Sequence, residues 1–371
     1  MKTKKVFVYG LLAVIFALAF TACDDDSGDN SGGNGGGGNG GGDTSPPTMR
    51  WTAVASSTFS DQEIIRAITY GDDKFVAVGD SGKMAYSADG KTWIAVATSG
   101  FGTSYTQSTI NSVVYGGGKF VAVGGYGKMA YSDDGITWSP VAAGAGGSTF
   151  ASDVTGSIYD IAYGDNTFVA VGVRSYNGST TNPCHAAYSS DGINWTGVSA
   201  LDYTITAGYI SSIAFGNGKF VIGTGSGGQK AYSDNNGMGW IGVTDSKFAS
   251  TGTGSWINAI TYGNKFVAGG GRGTITNSDD GITWTTATNN KVAQLNNPPD
   301  IEDIAYGNGK FVAVGNLGTI AYSSDGNTWD IAENSTFSTS PNRIYAVAYG
   351  NNTFVAVGMR GHMAWSTGNI E

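Results

Sequence analysis

Residues 306–329 read YGNGKFVAVGNLGTIAYSSDGNTW, and versions of this stretch recur along the chain. Its aromatic-Gly start stands at Tyr70, Tyr115, Tyr163, Phe215, Tyr262, Tyr306 and Tyr349, at intervals of 45, 48, 52, 47, 44 and 43 residues. Seven copies at that period signal a propeller or a solenoid. Each unit reads as four strands, a to d, which in the first copy are residues 65–70, 74–79, 83–87 and 93–97. Strand b carries Phe-Val-Ala-Val-Gly or a close variant, apolar on both faces, as expected of a blade packed between two others. The series Phe75, Phe120, Phe168, Phe220, Phe266, Phe311 and Phe354 is therefore core.

Two details select a closed ring. The seventh unit stops at His362-Met363-Ala364-Trp365-Ser366, without the Asp-Gly-x-Thr-Trp segment and fourth strand that the earlier units have in some form. Near the front, Arg50-Trp51-Thr52-Ala53-Val54-Ala55 matches Thr92-Trp93-Ile94-Ala95-Val96-Ala97. The displaced strand completes unit seven only if that unit sits beside the start of the ring, where it also covers an exposed sheet edge. The expected fold is all-β: residues 48–371 as a seven-bladed β-propeller of four-stranded blades, closed by an N-terminal outer strand in blade seven.

Composition agrees. Of 371 residues, 60 are Gly and only 13% are charged, which suits short strands joined by turns rather than long amphipathic helices. The formal charge of −9 becomes three units more negative without Lys2, Lys4 and Lys5, a surface that repels nucleic acid. Those lysines precede an apolar run at residues 6–20 and then Phe20-Thr21-Ala22-Cys23, the order of a secretory signal with a cleavage point. The tetrapeptide resembles the bacterial lipobox, with Phe20 where Leu is usual. The resemblance implies that residues 1–22 are removed and that Cys23 is lipidated and holds the chain to a membrane. The alternative is an uncleaved membrane helix, for which the run is near the ~17-residue lower limit. Residues 23–47 hold the lipidated Cys and a Gly-rich tether too polar to order itself, with a reach of roughly 25 to 30 Å. The expected location is the bacterial cell envelope, at the outer membrane or cell surface rather than the inner membrane.

Between strands c and d stands Ser87-Ala88-Asp89-Gly90-Lys91-Thr92-Trp93, repeated at residues 132–138, 189–195, 278–284 and 323–329, and one residue longer at 233–240. The turn residues are Asp89, Asp134, Asp191, Asn235, Asp280 and Asp325. These segments resemble the Asp-box (BNR-like) repeat of the sialidase-like propellers, mostly one residue shorter between Asp and Gly. The expected role is structural, with Asp accepting backbone N–H bonds and Gly taking a positive φ; a calcium site at these turns is the alternative. A true sialidase would also need an arginine triad, a Tyr-Glu pair and an acid. Arg174, Arg272 and Arg360 fall in b–c loops, but nothing ties them to a Tyr-Glu pair, and the Arg-Ile-Pro signature of that family is missing. Asp160, Glu302 and Asp303 are the acids a glycan-cleaving propeller would have to use. No catalytic residue is assigned.

Strand order puts the a–b turns and the Asp-Gly turns at one end of the ring and the b–c and d–a loops at the other. The second end varies most between units, and loops on a rigid scaffold are the usual place for recognition. One slot there, before strand c, holds Ser81, Tyr126, Pro183, Gly227, Arg272, Leu317 and Arg360. A second, near the start of strand a and expected at the channel mouth, holds Arg66, Asn111, Tyr159, Ser211, Asn258, Glu302 and Tyr345, with Tyr209, Trp256 and Arg343 extending the rim. Arg66, Tyr126, Tyr159, Trp256, Arg272, Glu302, Tyr345 and Arg360 are the candidate ligand-binding residues. His185 and His362 fall in a slot otherwise filled by Lys, Gln or Thr, and Cys184 in a Gly slot, so no metal and no cofactor is expected. The expected molecule is a monomeric, non-catalytic binding or assembly module for a glycan or an envelope protein; the alternative is a glycoside hydrolase of the Asp-box group.

Overall fold

The structure is a computed structural model that describes residues 48–104, 107–142, 156–173, 184–198, 208–248, 252, 254–333, 335–337 and 343–369. The expected signal, Cys23 and the tether lie outside the described residues, as do Arg174 and Pro183.

Seven antiparallel sheets stand around a central channel. Blade one comprises strand a at Ile65–Gly71, b at Lys74–Gly79, c at Met84–Ser87 and d at Ile94–Ala95. The inner strands of the other six are Ile110–Gly116, Ser157–Gly164, Ile210–Gly216, Ile257–Tyr262, Ile301–Gly307 and Ile344–Gly350. Each touches the inner strand of the next blade, and the seventh touches the first. Outer strands are shorter than the sequence suggests: in blade one the ladder ends with Val96 N–H donating to Met84 O at 2.9 Å, after which the chain leaves for the next blade. Blade six departs in another way, because Asn289–Asn290 adds a fifth strand parallel to Thr328–Ile331.

Blade seven is completed from the front of the described chain. Thr52 faces Trp365 and Ala53 faces Ala364, and Val54 N–H donates to Met363 O at 2.9 Å, the same final rung as in blade one. Trp51 takes the place of Trp93 and is 6% exposed. Its indole N–H has no acceptor among the described residues, whereas Trp93 Nε1 donates to Gly90 O at 3.2 Å. Blade seven has Ser366-Thr367-Gly368 in place of the full turn, and Gly368 N–H donates to Ser366 Oγ at 3.1 Å.

Aromatic-glycine pairing sets the blade spacing. A Cβ on Gly71 would overlap the Tyr115 ring of blade two, and the same holds for Gly116 with Tyr163, Gly164 with Phe215, Gly216 with Tyr262, Gly263 with Tyr306, Gly307 with Tyr349 and Gly350 with Tyr70. Between blades, the strand-b Phe residues are 0 to 1% exposed, each contributing on the order of 1.5–3 kcal/mol by burial.

The Ser-x-Asp-Gly turns tie strands c and d. Asp89 Oδ1 accepts Lys91 N–H and Thr92 N–H, both at 2.8 Å, and Ser87 Oγ accepts Gly90 N–H at 2.9 Å. Asp134, Asp191, Asp280 and Asp325 repeat this arrangement. In the longer turn Asn235 Oδ1 accepts Gly239 N–H at 2.9 Å. Burial pushes the Asp134 and Asp191 carboxyls up, but the backbone N–H bonds outweigh it and hold both near about 2. Among the described residues, several d–a loops share one feature. Phe59, Phe101 and Phe248 each follow a Ser-x pair and donate N–H to that Ser Oγ at 3.3 Å, while Ser335-Thr336-Phe337 repeats the sequence.

Candidate functional site

Every inner strand carries a bulge near its start. The pairing skips one residue between Ile65 and Ala67, Ile110 and Ser112, Ile158 and Asp160, Ile210 and Ser212, Ile257 and Ala259, Ile301 and Asp303, and Ile344 and Ala346. The skipped residues are Arg66, Asn111, Tyr159, Ser211, Asn258, Glu302 and Tyr345, the slot read from the sequence as the channel mouth. A bulged residue has no ladder partner and its side chain is turned out of the sheet. All seven line one cavity of about 330 Å³ in the channel.

Three of the seven serve the fold. Asn111 Nδ2 donates to Ile158 O at 2.8 Å, Asn258 Nδ2 to Ile301 O at 2.9 Å, and Ser211 Oγ to Ile257 O, each reaching the bulge of the following blade. The other four bring the chemistry. Arg66 Nε pairs with the buried Asp80 at 2.7 Å. Glu302 pairs with Arg343 at 2.7 Å and is 7% exposed in its side chain; burial pushes its carboxyl up, partly opposed by Arg343. Arg343 in turn lies 4.9 Å over the Tyr345 ring, a cation–π contact. The Tyr159 and Tyr209 rings pack at 5.1 Å with their planes tilted by 48°, and burial raises the Tyr159 phenol.

Below this rim stand Asp160 and Asp303. Asp160 accepts Ser112 Oγ–H at 2.7 Å, Ile161 N–H at 2.8 Å and Ile213 N–H at 2.8 Å. Asp303 accepts Ile304 N–H at 2.8 Å and Val347 N–H at 2.9 Å. Each joins its own bulge to the next blade's. Burial nevertheless pushes Asp160 up to about 6 and Asp303 up to about 7, since these bonds only partly offset the loss of solvent around the carboxyl.

The remaining candidates stand apart from the mouth. Tyr126, Arg272 and Arg360 occupy the tips of b–c turns at φ 57°, 55° and 57°. Trp256 is half-buried beside its own blade's b–c turn, its carbonyl accepting Gly271 N–H. His362 lies beside the Phe337 ring at 6.4 Å, and the side chains of Cys184 and His185 lie outside the described residues. No group of three or more His, Cys, Asp or Glu suited to a metal occurs among the described residues. The bulge and the Ser-x-Phe loops were missed in the sequence; the second could have been found from the recurrence of Ser57-Thr58-Phe59 at Ser99-Gly100-Phe101 and Ser246-Lys247-Phe248.

No family model and no curated protein matches the sequence. Solved structures of similar fold include YCF48 bound to D1 peptide, at 16% identity and TM-score 0.62, covering 88% of this chain and 100% of that one. A streptogramin B lyase aligns at 12% identity and TM-score 0.64, covering 87% and 98%. The WD40 propeller domain of Doa1 aligns at 14% identity and TM-score 0.60, covering 86% and 98%. At these identities the likeness is one of fold.

Proposed function

We propose that this protein is a lipid-anchored, non-catalytic binding module that engages a segment of another envelope protein at the b–c end of its ring. The carrying observation is the division of labour in the channel. Asn111, Ser211, Asn258, Asp160 and Asp303 bond to neighbouring blades. Arg66, Tyr159, Glu302, Arg343 and Tyr345 gather paired charge and aromatic surface at the mouth, a combination suited to a polypeptide. The acids a glycosidase would draw on are Asp160, Asp303 and Glu302. Two hold the bulges together and the third pairs with Arg343, which favours binding over hydrolysis. YCF48, a propeller of similar fold, was solved with a D1 peptide bound, and a ring of this kind can seat a peptide. The Ser-x-Asp-Gly turns support kinship with the Asp-box propellers as a shared architecture.

Anchoring follows from Cys23: lipidation there, with residues 24–47 as a tether, would hold the ring at the outer membrane or cell surface. Labelling with an alkyne fatty acid should mark the parent protein and not Cys23→Ser. For the binding role, the full chain and a Tyr159→Ala/Tyr345→Ala variant are cross-linked in the native envelope. A protein adduct lost in the variant supports the reading; turnover of fluorogenic glycosides, abolished by Glu302→Gln, would replace it with a hydrolase.

A further inference from the structure

Among the described residues, the cavity at the channel mouth holds more negative charge than positive. Asp160 and Asp303 occupy the slot after the bulge, which in the other five blades holds Ala67, Ser112, Ser212, Ala259 and Ala346. The ring closes at that level with Ala or Ser, so the fold does not require a carboxyl there. Both carboxyls nevertheless line the same 330 Å³ cavity, from blades three places apart in the ring of seven. Arg66 is the one cation in its lining, and Asp80 holds the Arg66 Nε at 2.7 Å. Arg343 Nη2 lies 2.7 Å from Glu302 Oε1 but out of line, so that this oxygen, on a side chain only 7% exposed, has no hydrogen bond among the described residues. With these two partners counted, the carboxyls of Asp80, Asp160, Glu302 and Asp303 face only two guanidinium groups, and Asp300 adds its charge at Glu302. Burial raises Asp160 and Asp303, and the charges that also act on Asp303, those of Asp160 and Glu302, are acidic. The remaining titratable side chains of the lining are the phenols of Tyr159, Tyr306 and Tyr345.

We infer, on the reading that the b–c end is the binding end, that this cavity is the socket for one lysine or arginine side chain of the bound partner segment. A long cationic side chain can lay its stem and charge against the Tyr159 and Tyr345 rings, donate to Glu302 Oε1 and supply the counter-charge that Asp160 and Asp303 lack. A volume of 330 Å³ is at the small end for a ligand site and suits a single side chain. The formal charge of −9 favours a cationic partner over an acidic one. No group of three or more His, Cys, Asp or Glu suited to a metal occurs among the described residues, and an ammonium or guanidinium group, which needs acceptors rather than a closed ligand set, fits the spaced carboxyls better.

The test uses the detergent-solubilised full chain and blocked glycine–serine peptides with one central arginine, lysine, glutamine or glutamate, titrated by calorimetry at about pH 5 and about pH 8. At the higher pH the arginine and lysine peptides should bind about tenfold more tightly than the other two. Their binding should weaken about tenfold at the lower pH, where Asp160 and Asp303, at about 6 and about 7, are protonated. Asp160→Asn/Asp303→Asn should remove both the preference for the cationic peptides and its pH dependence; if Tm shows that the double variant does not fold, each single variant should reduce the pH dependence. A merely structural role would leave preference and pH profile unchanged in a folded variant, and that result overturns the inference. So does failure of the parent protein to bind the arginine peptide at the higher pH, or a Tm raised by calcium chloride and by neither cationic peptide. Arginine and glutamine peptides bound alike, with that binding lost in Tyr159→Ala/Tyr345→Ala, remove the socket and leave the mouth reading standing; a cationic preference kept in both the Asn and the Ala variants removes both.

Discussion

Gly350 of blade seven lies directly beneath the ring of Tyr70 of blade one, so close that a methyl group on Gly350 would overlap Tyr70 Cγ and Cδ2. The same contact joins each blade to the next, which makes this one the closing member of a seven-fold series. Gly350→Ala should therefore push blades one and seven apart and destabilise the ring by about 1–3 kcal/mol. The measurement is calorimetric Tm against the parent; an unchanged Tm would mean that the junction yields without cost.

The equivalent tryptophans of blades one and seven differ in one hydrogen bond. Trp93 Nε1 donates to Gly90 O, whereas Trp51 Nε1 has no acceptor among the described residues. Truncation of Trp51 to Ala should cost roughly 3–5 kcal/mol as a large buried side chain. Replacement by Phe should cost about 1 kcal/mol less at Trp51 than at Trp93, because only the second loses a bond. Urea denaturation of the two Phe variants checks the difference.

Two sets of carboxyls set the pH dependence, with opposite signs. Asp160 and Asp303 have folded-state values raised to about 6 and about 7 from 3.8. Their contribution is fully present below the unfolded value and is lost as pH rises through about 6 to 7. Asp134 and Asp191 are lowered to about 2; their contribution is present above the unfolded value and is lost as pH falls toward about 2. Tm should be highest at about pH 4, where the two sets meet at the unfolded value of 3.8, and should fall from there up to about pH 7. Asp303→Asn should flatten that decline in a thermal series.

Lys230 occupies the core slot held by Met84, Met129 and Met363 in three other blades, and is 1% exposed. Its ammonium donates to Ser246 O at 2.6 Å and Thr276 Oγ1 at 3.2 Å, between the rings of Trp284 and Phe248. Burial pushes its pKa well down, opposed by Asp245, which itself pairs with Lys247. A depressed folded value means that stability is lost as pH falls from the unfolded value, near 10.4, through the folded one. Lys230→Met should raise Tm at pH 7, and the gain should shrink toward pH 10.

The ring was legible because its determinants are local and repeated: Phe75-Val76-Ala77-Val78-Gly79 states a strand buried on both faces, and Asp89-Gly90 states the turn. The closing strand was legible because Trp51 and Trp93 sit in matching hexapeptides. What stayed hidden depends on residues of adjacent blades. Nothing in Asn111 or Asn258 says that its amide bonds the next blade's bulge while Tyr345 does not, since the carbonyl acceptors stand 47 and 43 residues away. The fifth strand at Asn289–Asn290 is equally silent, because it pairs in parallel across a blade boundary.

The binding end of the ring is most directly tested by a photo-crosslinking amino acid placed at Tyr345 and Leu317 on the b–c end, and at Ile136 and Ile282 on the opposite end, in the full chain within its native envelope. Ile136 and Ile282 are exposed at 40% and 37% and serve as controls. Adducts to one partner protein from positions 345 and 317, and none from 136 and 282, are the predicted result. Adducts from 136 and 282 alone would contradict it.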